Sequence, residues 1–107
     1  MDRNTLLLDL RPTHPGEFLR EDVLPALGHS LEAIADLLRI SHADLGAILD
    51  ETRPLSADMA LRIAKLTGTT CDSWVRMQVA FDLAHAEIAL EDDLDLIPTL
   101  DPDGDLG

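Results

Sequence analysis

The stretch SLEAIADLLRISHADLGAIL, residues 30–49, decides the fold of this chain. Ser30 and Ser41 each precede an apolar run, and serine is a preferred N-cap because its hydroxyl accepts a hydrogen bond from a free backbone N–H. One face of each run is apolar at helical spacing, and it carries Ile34, Ala35, Leu38, Leu45, Ile48 and Leu49. The stretch therefore predicts two helices joined by a turn of about three residues, as in a helix-turn-helix unit.

The turn of this unit carries an unusual residue. Ala35 is small, as the crossing of the two helices requires, and the residue four positions later needs a positive φ that glycine adopts most easily. That residue is Arg39. A side chain in the left-handed region costs roughly 1 kcal/mol relative to glycine, so we expect the turn to be either strained or slightly rearranged.

Three more helices are predicted around this unit. The first opens at His14-Pro15-Gly16-Glu17, where Pro15 suits the first helical position, and Pro25 should disrupt it before Gly28. The fourth begins after Ser56 and ends at Gly68, and the fifth runs from Thr70 to about Ala89. The prediction is an all-α, five-helix domain over residues 13–90, with an N-terminal arm at 1–12 and an acidic tail at 91–107.

The amino-acid composition argues against several classes of function. Eight Lys and Arg face 21 Asp and Glu, a net charge of −13, which argues against a generic nucleic-acid or anionic-membrane binder. No apolar run reaches the ~18 residues of a membrane span and no signal-peptide pattern is present, so we expect a cytoplasmic protein. Cys71 is the single cysteine, the four histidines lack i,i+4 pairing, and no catalytic motif occurs. We expect no enzyme activity, no metal site and no cofactor.

The tail is the most acidic part of the chain. Residues 91–107 hold seven acids and no base, together with two prolines and two glycines. This composition predicts a flexible, solubilising tail. The alternative is a segment that orders on a partner through Leu94, Leu96, Ile97 and Leu100.

Three ordered motifs run through the helical part of the chain. The first is HPGEFLREDVL at 14–24. The second is RPLS at 53–56 followed by MALRIA at 59–64, and the third is Trp74 and Gln78 followed by Phe81-Asp82-Leu83. These motifs resemble those of the HigA family, the antitoxins of bacterial toxin–antitoxin modules, and the resemblance covers roughly residues 13–87.

This resemblance implies a Cro/lambda-repressor-like (Xre-type) helix-turn-helix fold and a homodimer. It also implies a RelE-like, mRNA-cutting toxin as partner and repression of the protein's own operon. The DNA-binding candidates are Arg39, Ser41, His42, Ala43, Ala47 and Arg53, with Arg53 assigned to phosphate. Trp74, Met77 and Phe81 are the dimer candidates, Trp74 being alternatively a core residue. An N-terminal run of Leu6, Leu7, Leu8 and Leu10 is the toxin-binding candidate, as a strand added to a partner sheet.

The charge of the helix-turn-helix departs from the family pattern. Residues 29–56 carry two bases (Arg39, Arg53) and five acids, a net charge of −3. Acids repel phosphates, so we expect DNA binding to be weak and very sensitive to salt. Two alternatives therefore stay open: a transcriptional regulator without a toxin partner, and a protein-interaction module that has lost DNA binding.

Overall fold

The computed structural model describes residues 12–104, and these form six helices. The first, α1, is a continuous helical segment made of Pro15–Phe18, a π-helical turn at Leu19–Val23, and Leu24–Leu27. The others are α2 (Leu31–Leu38), α3 (His42–Leu49), α4 (Ala57–Thr67), α5 (Cys71–Ala89) and α6 (Glu91–Leu96). The all-α prediction is confirmed.

The π-helical turn in α1 lies directly before Pro25. A proline in a helix has no N–H to donate, and its ring clashes with the carbonyl group four residues earlier. Here the N–H of Leu24 donates to the carbonyl oxygen of Leu19, five residues back, which widens the helix at this point. The helix is thus distorted at Pro25 and continues to Leu27, where the sequence predicted a disruption.

The predicted N-caps are all present. The hydroxyl groups of Ser30, Ser41, Ser56 and Thr70 each accept a hydrogen bond from the backbone N–H three residues later. The cap of α1 is a histidine: Nδ1 of buried His14 accepts the N–H of Gly16 at 2.8 Å. These local bonds fix where each of α1 to α5 begins.

The turn between α2 and α3 keeps the helix-turn-helix geometry without rearrangement. Arg39 has φ 61° and ψ 43°, in the left-handed region. The N–H of Arg39 donates to the carbonyl of Asp36 and the N–H of Ile40 to that of Ala35, which is a Schellman motif. Of the two outcomes that the sequence left open, the strained turn is the one observed.

The core lies where α1, α4 and α5 enclose the helix pair. Its largest fully buried side chains include Leu19, Ile34, Leu45, Ile48 and Ile63. Gly16 in the first turn of α1 lies against the end of α3, where a Cβ atom would stand 1.9 Å from the carbonyl oxygen of Ile48. This position therefore requires glycine because the two backbones touch.

The segment beyond residue 90 differs from the prediction. The sequence predicted five helices followed by a flexible tail, whereas Glu91–Leu96 forms the short helix α6. Every residue from 91 to 104 is exposed, and α6 lacks a side-chain N-cap. The count of five helices is wrong by one, while the mobility of this segment stays a prediction.

Candidate nucleic-acid interface

The outward face of α3 carries small side chains. Ala43 is exposed and Ala47 is half-buried, and helical geometry places both between the two flanks of the helix. His42 and Gly46 lie on one flank, and Asp44 and Ile48 lie on the other. Methyl groups can contact apolar parts of a base but make no hydrogen bond to it, so polar contacts must come from the flanks.

One flank opens into a groove that contains three arginines. The groove has a volume of about 470 Å³ and lies between α3 and the start of α4. Among its lining residues are Arg39, Arg53 and Arg62, together with the N-cap residues Ser41 and Ser56. Cations beside two helix N-termini suit an anion. The structure therefore brings Arg39, Ser41 and Arg53 of the predicted DNA-binding set into one site.

The charge of Arg53 is shared with an acid of α3. Its Nη1 donates to Oδ1 of Asp44 at 2.6 Å, and both side chains are about half exposed. A pair this exposed contributes little to folding stability. It does lower the positive charge that Arg53 offers to a phosphate.

His42 is separated from these residues and lies on the opposite flank of α3. Its Nε2 is 3.2 Å from Oδ1 of Asp36 in α2, and both side chains are exposed. It lines a small groove with Leu31, Glu32 and Gly46. Because Asp36 and Glu32 surround it with negative charge, His42 is a weaker candidate for a phosphate contact than Arg39.

Two arginines outside the predicted set hold the helix pair in place. Nη1 of Arg20 in α1 donates to the carbonyl oxygen of Leu49, the last residue of α3, at 2.6 Å. Nη1 of Arg62 in α4 donates to the carbonyl oxygen of Leu38, the last residue of α2, at 2.8 Å. A cation at a helix C-terminus satisfies free carbonyl groups and opposes the negative end of the helix dipole. These two cations therefore position the interface.

Sequence reasoning missed Arg20 and Arg62 because each acts on a carbonyl group more than 20 residues away. Arg20 also makes an ion pair with Glu21, and this hydrogen bond is the main cause that raises the pKa of its guanidinium. The i,i+4 spacing of Asp58 and Arg62 indicates their ion pair, but no local pattern indicates the distant carbonyl groups that Arg20 and Arg62 reach. The family motifs that contain these two arginines were the only feature of the sequence that pointed to a role for them.

A buried glutamine holds the loop between α3 and α4. Oε1 of Gln78 in α5 accepts the backbone N–H of Leu55 at 2.8 Å, and its Nε2 donates to Asp82. Gln78 is 6% exposed. Since Leu55 follows Arg53 by two residues, this bond fixes the loop that carries Arg53.

The dimer candidates on α5 divide into two groups. Trp74 is 3% exposed, and its indole N–H donates to the hydroxyl of Thr69 at 2.7 Å. It is therefore a core residue and unavailable as a dimer contact in this conformation. Met77 and Phe81 are half-buried. The ring of Phe81 makes an edge-to-face contact with His14 and a tilted contact with His85, with ring centroids at 4.9 and 4.1 Å.

The toxin-binding candidates Leu6, Leu7, Leu8 and Leu10 lie outside the described residues. Between residues 12 and 104 no helix has the length and apolar character needed to cross a bilayer. Within the same range, histidines, cysteine and acids form no group of three that could hold a metal ion.

The chain is similar to known bacterial proteins over most of its length. Virulence-associated protein I of Dichelobacter nodosus is 43% identical over 74 residues, which are 69% of this chain and 68% of the relative. No family model matches the sequence.

Solved structures resemble the fold closely. A structure of Pseudomonas aeruginosa antitoxin HigA with the higBA promoter is 34% identical, with a TM-score of 0.76 over 86% of this chain and 98% of that one. Antitoxin GraA in complex with its operator is 39% identical, with a TM-score of 0.79 over 86% and 94%. On this sequence identity and this shared helix-turn-helix geometry, the chain belongs to the HigA family of Xre-type helix-turn-helix antitoxins.

Proposed function

We propose that this chain is the antitoxin of a HigBA-type module. In this proposal it neutralises a RelE-like mRNA-cutting toxin in the cytoplasm and represses its own operon as a homodimer. The observation that carries the DNA-binding part is the groove beside α3, where Arg39 and Arg53 stand at the N-termini of α3 and α4. The HigA and GraA structures with promoter or operator DNA support the same assignment.

The ion pair between Arg53 and Asp44 gives a direct test of operator binding. Asp44→Asn frees Arg53 and removes one negative charge, so affinity for the upstream region should rise several-fold, whereas Arg53→Ala should weaken binding on every sequence. Asp72→Asn, an exposed acid on α5, controls for net charge. A titration by fluorescence anisotropy measures all three. Equal affinity of the wild type and Arg53→Ala would contradict the role of this groove.

The dimer is proposed to form through the outer face of α5. Val79 and Leu83, four residues apart on one face of this helix, are 56% and 57% exposed, which leaves apolar surface for a second copy. Sedimentation at micromolar concentration should give a dimer, and Leu83→Glu should shift it to the 11.7 kDa monomer. Leu31→Glu, at a position that is 50% exposed on α2, should leave the dimer intact. A monomeric wild type would refute this part.

The toxin is proposed to be a small basic protein, because a net charge of −13 favours a cationic partner. The N-terminal run at residues 6–10 is its favoured contact and the acidic tail the second. Co-expression with the neighbouring gene, then pull-down with full-length, Δ1–11 and Δ91–107 forms, separates the two. Unchanged capture by both truncations would place the contact on the helical domain. Absence of any toxin gene would favour the regulator without a toxin.

A further inference from the structure

A second groove, between α2 and α4, combines apolar and cationic side chains. It has a volume of about 520 Å³, within the range of pockets that bind small ligands. Its apolar lining is Leu37, Leu38, Leu61 and Leu66, and its charged lining is Arg39, Arg62 and Lys65. Leu37 and Leu61 are 57% and 60% exposed.

The charge of this groove is opposite to that of the molecule. The described residues that line it include three cations and no acid, although acids outnumber bases by 21 to eight in the chain. Arg39 and Lys65 make no ion pair with any residue between 12 and 104. Exposed leucines beside unpaired cations suit a segment that alternates leucine with acids.

The chain itself contains such a segment. Residues 91–97 read EDDLDLI, in which Leu94, Leu96 and Ile97 alternate with or follow acids. These three side chains are 48%, 81% and 63% exposed, so their apolar surface lacks a covering partner within the described chain. The segment thus presents apolar side chains that can cover the leucines of the groove between α2 and α4, and the negative charges that the groove lacks.

The position of this segment favours docking between two molecules. It follows α5, a helix about 28 Å long at 1.5 Å per residue. The last five residues of α5 are all exposed, since no residue after position 84 is even half-buried. The segment that follows does not line its own groove.

We propose that residues 91–97 of one copy dock into the groove between α2 and α4 of a second copy. The leucines cover Leu37 and Leu61, and the carboxylates face Arg39 and Lys65. Because Arg39 also lines the groove beside α3, a docked segment places negative charge at one of the cations proposed for operator binding.

Paramagnetic relaxation between two chains tests this placement. One full-length chain carries a nitroxide at Thr99→Cys in a Cys71→Ser background, and the other is ¹⁵N-labelled wild type. We expect loss of amide signal at positions 37, 61 and 65 of the labelled chain. The double variant Leu61→Gln/Lys65→Glu in the ¹⁵N chain should abolish this loss, while Leu31→Gln/Arg53→Glu, an exposed pair of the same residue classes outside the groove and outside α5, should retain it.

Three results would overturn the proposal. The first is no signal loss at the groove, and the second is a loss that persists in the groove variant. The third is a loss found only when nitroxide and ¹⁵N are on the same chain, which would mean that the segment docks on its own molecule. Circular dichroism of each variant verifies that the helices are retained.

Discussion

At the scale of single residues, the contact at Gly16 makes the sharpest prediction. Gly16→Ala places a methyl group against the carbonyl of Ile48, and such overpacking typically costs about 1–3 kcal/mol of unfolding free energy. Gly46→Ala is the matched control: it lies inside α3 with open space at the Cβ position, so it should stabilise by about 1 kcal/mol. Urea unfolding followed by circular dichroism measures both. Equal effects of the two substitutions would contradict the close approach of α1 to α3.

The left-handed residue Arg39 makes a second prediction. Arg39→Gly should raise the unfolding free energy by about 1 kcal/mol because glycine adopts a positive φ without strain. Leu37→Gly, two residues earlier and also exposed, should lower it by about 1 kcal/mol because its φ is helical. If the urea midpoint rises in Arg39→Gly and falls in Leu37→Gly, the left-handed conformation of Arg39 is confirmed. A lower midpoint in Arg39→Gly would contradict it.

Local patterns explain which of these residues the sequence could predict. The hydroxyl caps and the turn at Arg39 depend on neighbours within a few positions, so their residue types indicate them. The pair of Arg53 and Asp44 joins residues nine positions apart, and Gln78 reaches 23 positions back to Leu55. Such bonds are apparent only when the positions of the helices are known. From the sequence, Arg53 was therefore expected to carry a charge that no acid shares.

At the scale of helices and loops, the bond from Gln78 to Leu55 predicts how the loop after α3 is held. Gln78→Ala leaves a buried N–H without an acceptor, which costs about 1–3 kcal/mol. Asp82→Ala removes only the exposed partner of the same side chain and should cost less. Thermal unfolding and protease cleavage within residues 50–56 measure both. A loop of unchanged protease resistance in Gln78→Ala would refute the role of this glutamine.

The terminal helix α6 makes a prediction about mobility. All its side chains are exposed and it has no side-chain N-cap, so packing contributes little to its stability. Limited proteolysis at low protein concentration should remove residues 91–107 and leave a folded domain. Full protection of the segment under these conditions would contradict the predicted flexibility.

The sequence missed α6 because its composition resembles that of a disordered tail. Seven acids, two prolines and two glycines in 17 residues indicate disorder as an average. The prolines and glycines all follow position 97, however, and three of the four acids of α6 stand in its first turn. Acids at a helix N-terminus stabilise the helix. The average composition of residues 91–107 therefore hid the fact that residues 91–96 are compatible with a helix.

At the scale of the whole molecule, the charge distribution predicts how DNA binding responds to salt. Because acids exceed bases in both the helix-turn-helix and the chain, affinity should depend on a few phosphate contacts made by Arg39 and Arg53. Binding should therefore be weak at physiological salt and weaken further as salt rises, because each phosphate contact releases counterions. Anisotropy titrations at two salt concentrations check this expectation. Tight binding that barely changes between them would show that base contacts dominate.

The burial of Trp74 has a consequence for optical studies of this protein. The chain has one tryptophan and no tyrosine, so its intrinsic fluorescence arises from a single indole. That indole contacts Phe18 of α1 at a ring separation of 5.8 Å and donates its N–H to Thr69. Emission thus reports on the junction of α1 with α5 alone. A red shift without loss of helical signal would reveal the separation of these two helices as a step distinct from global unfolding.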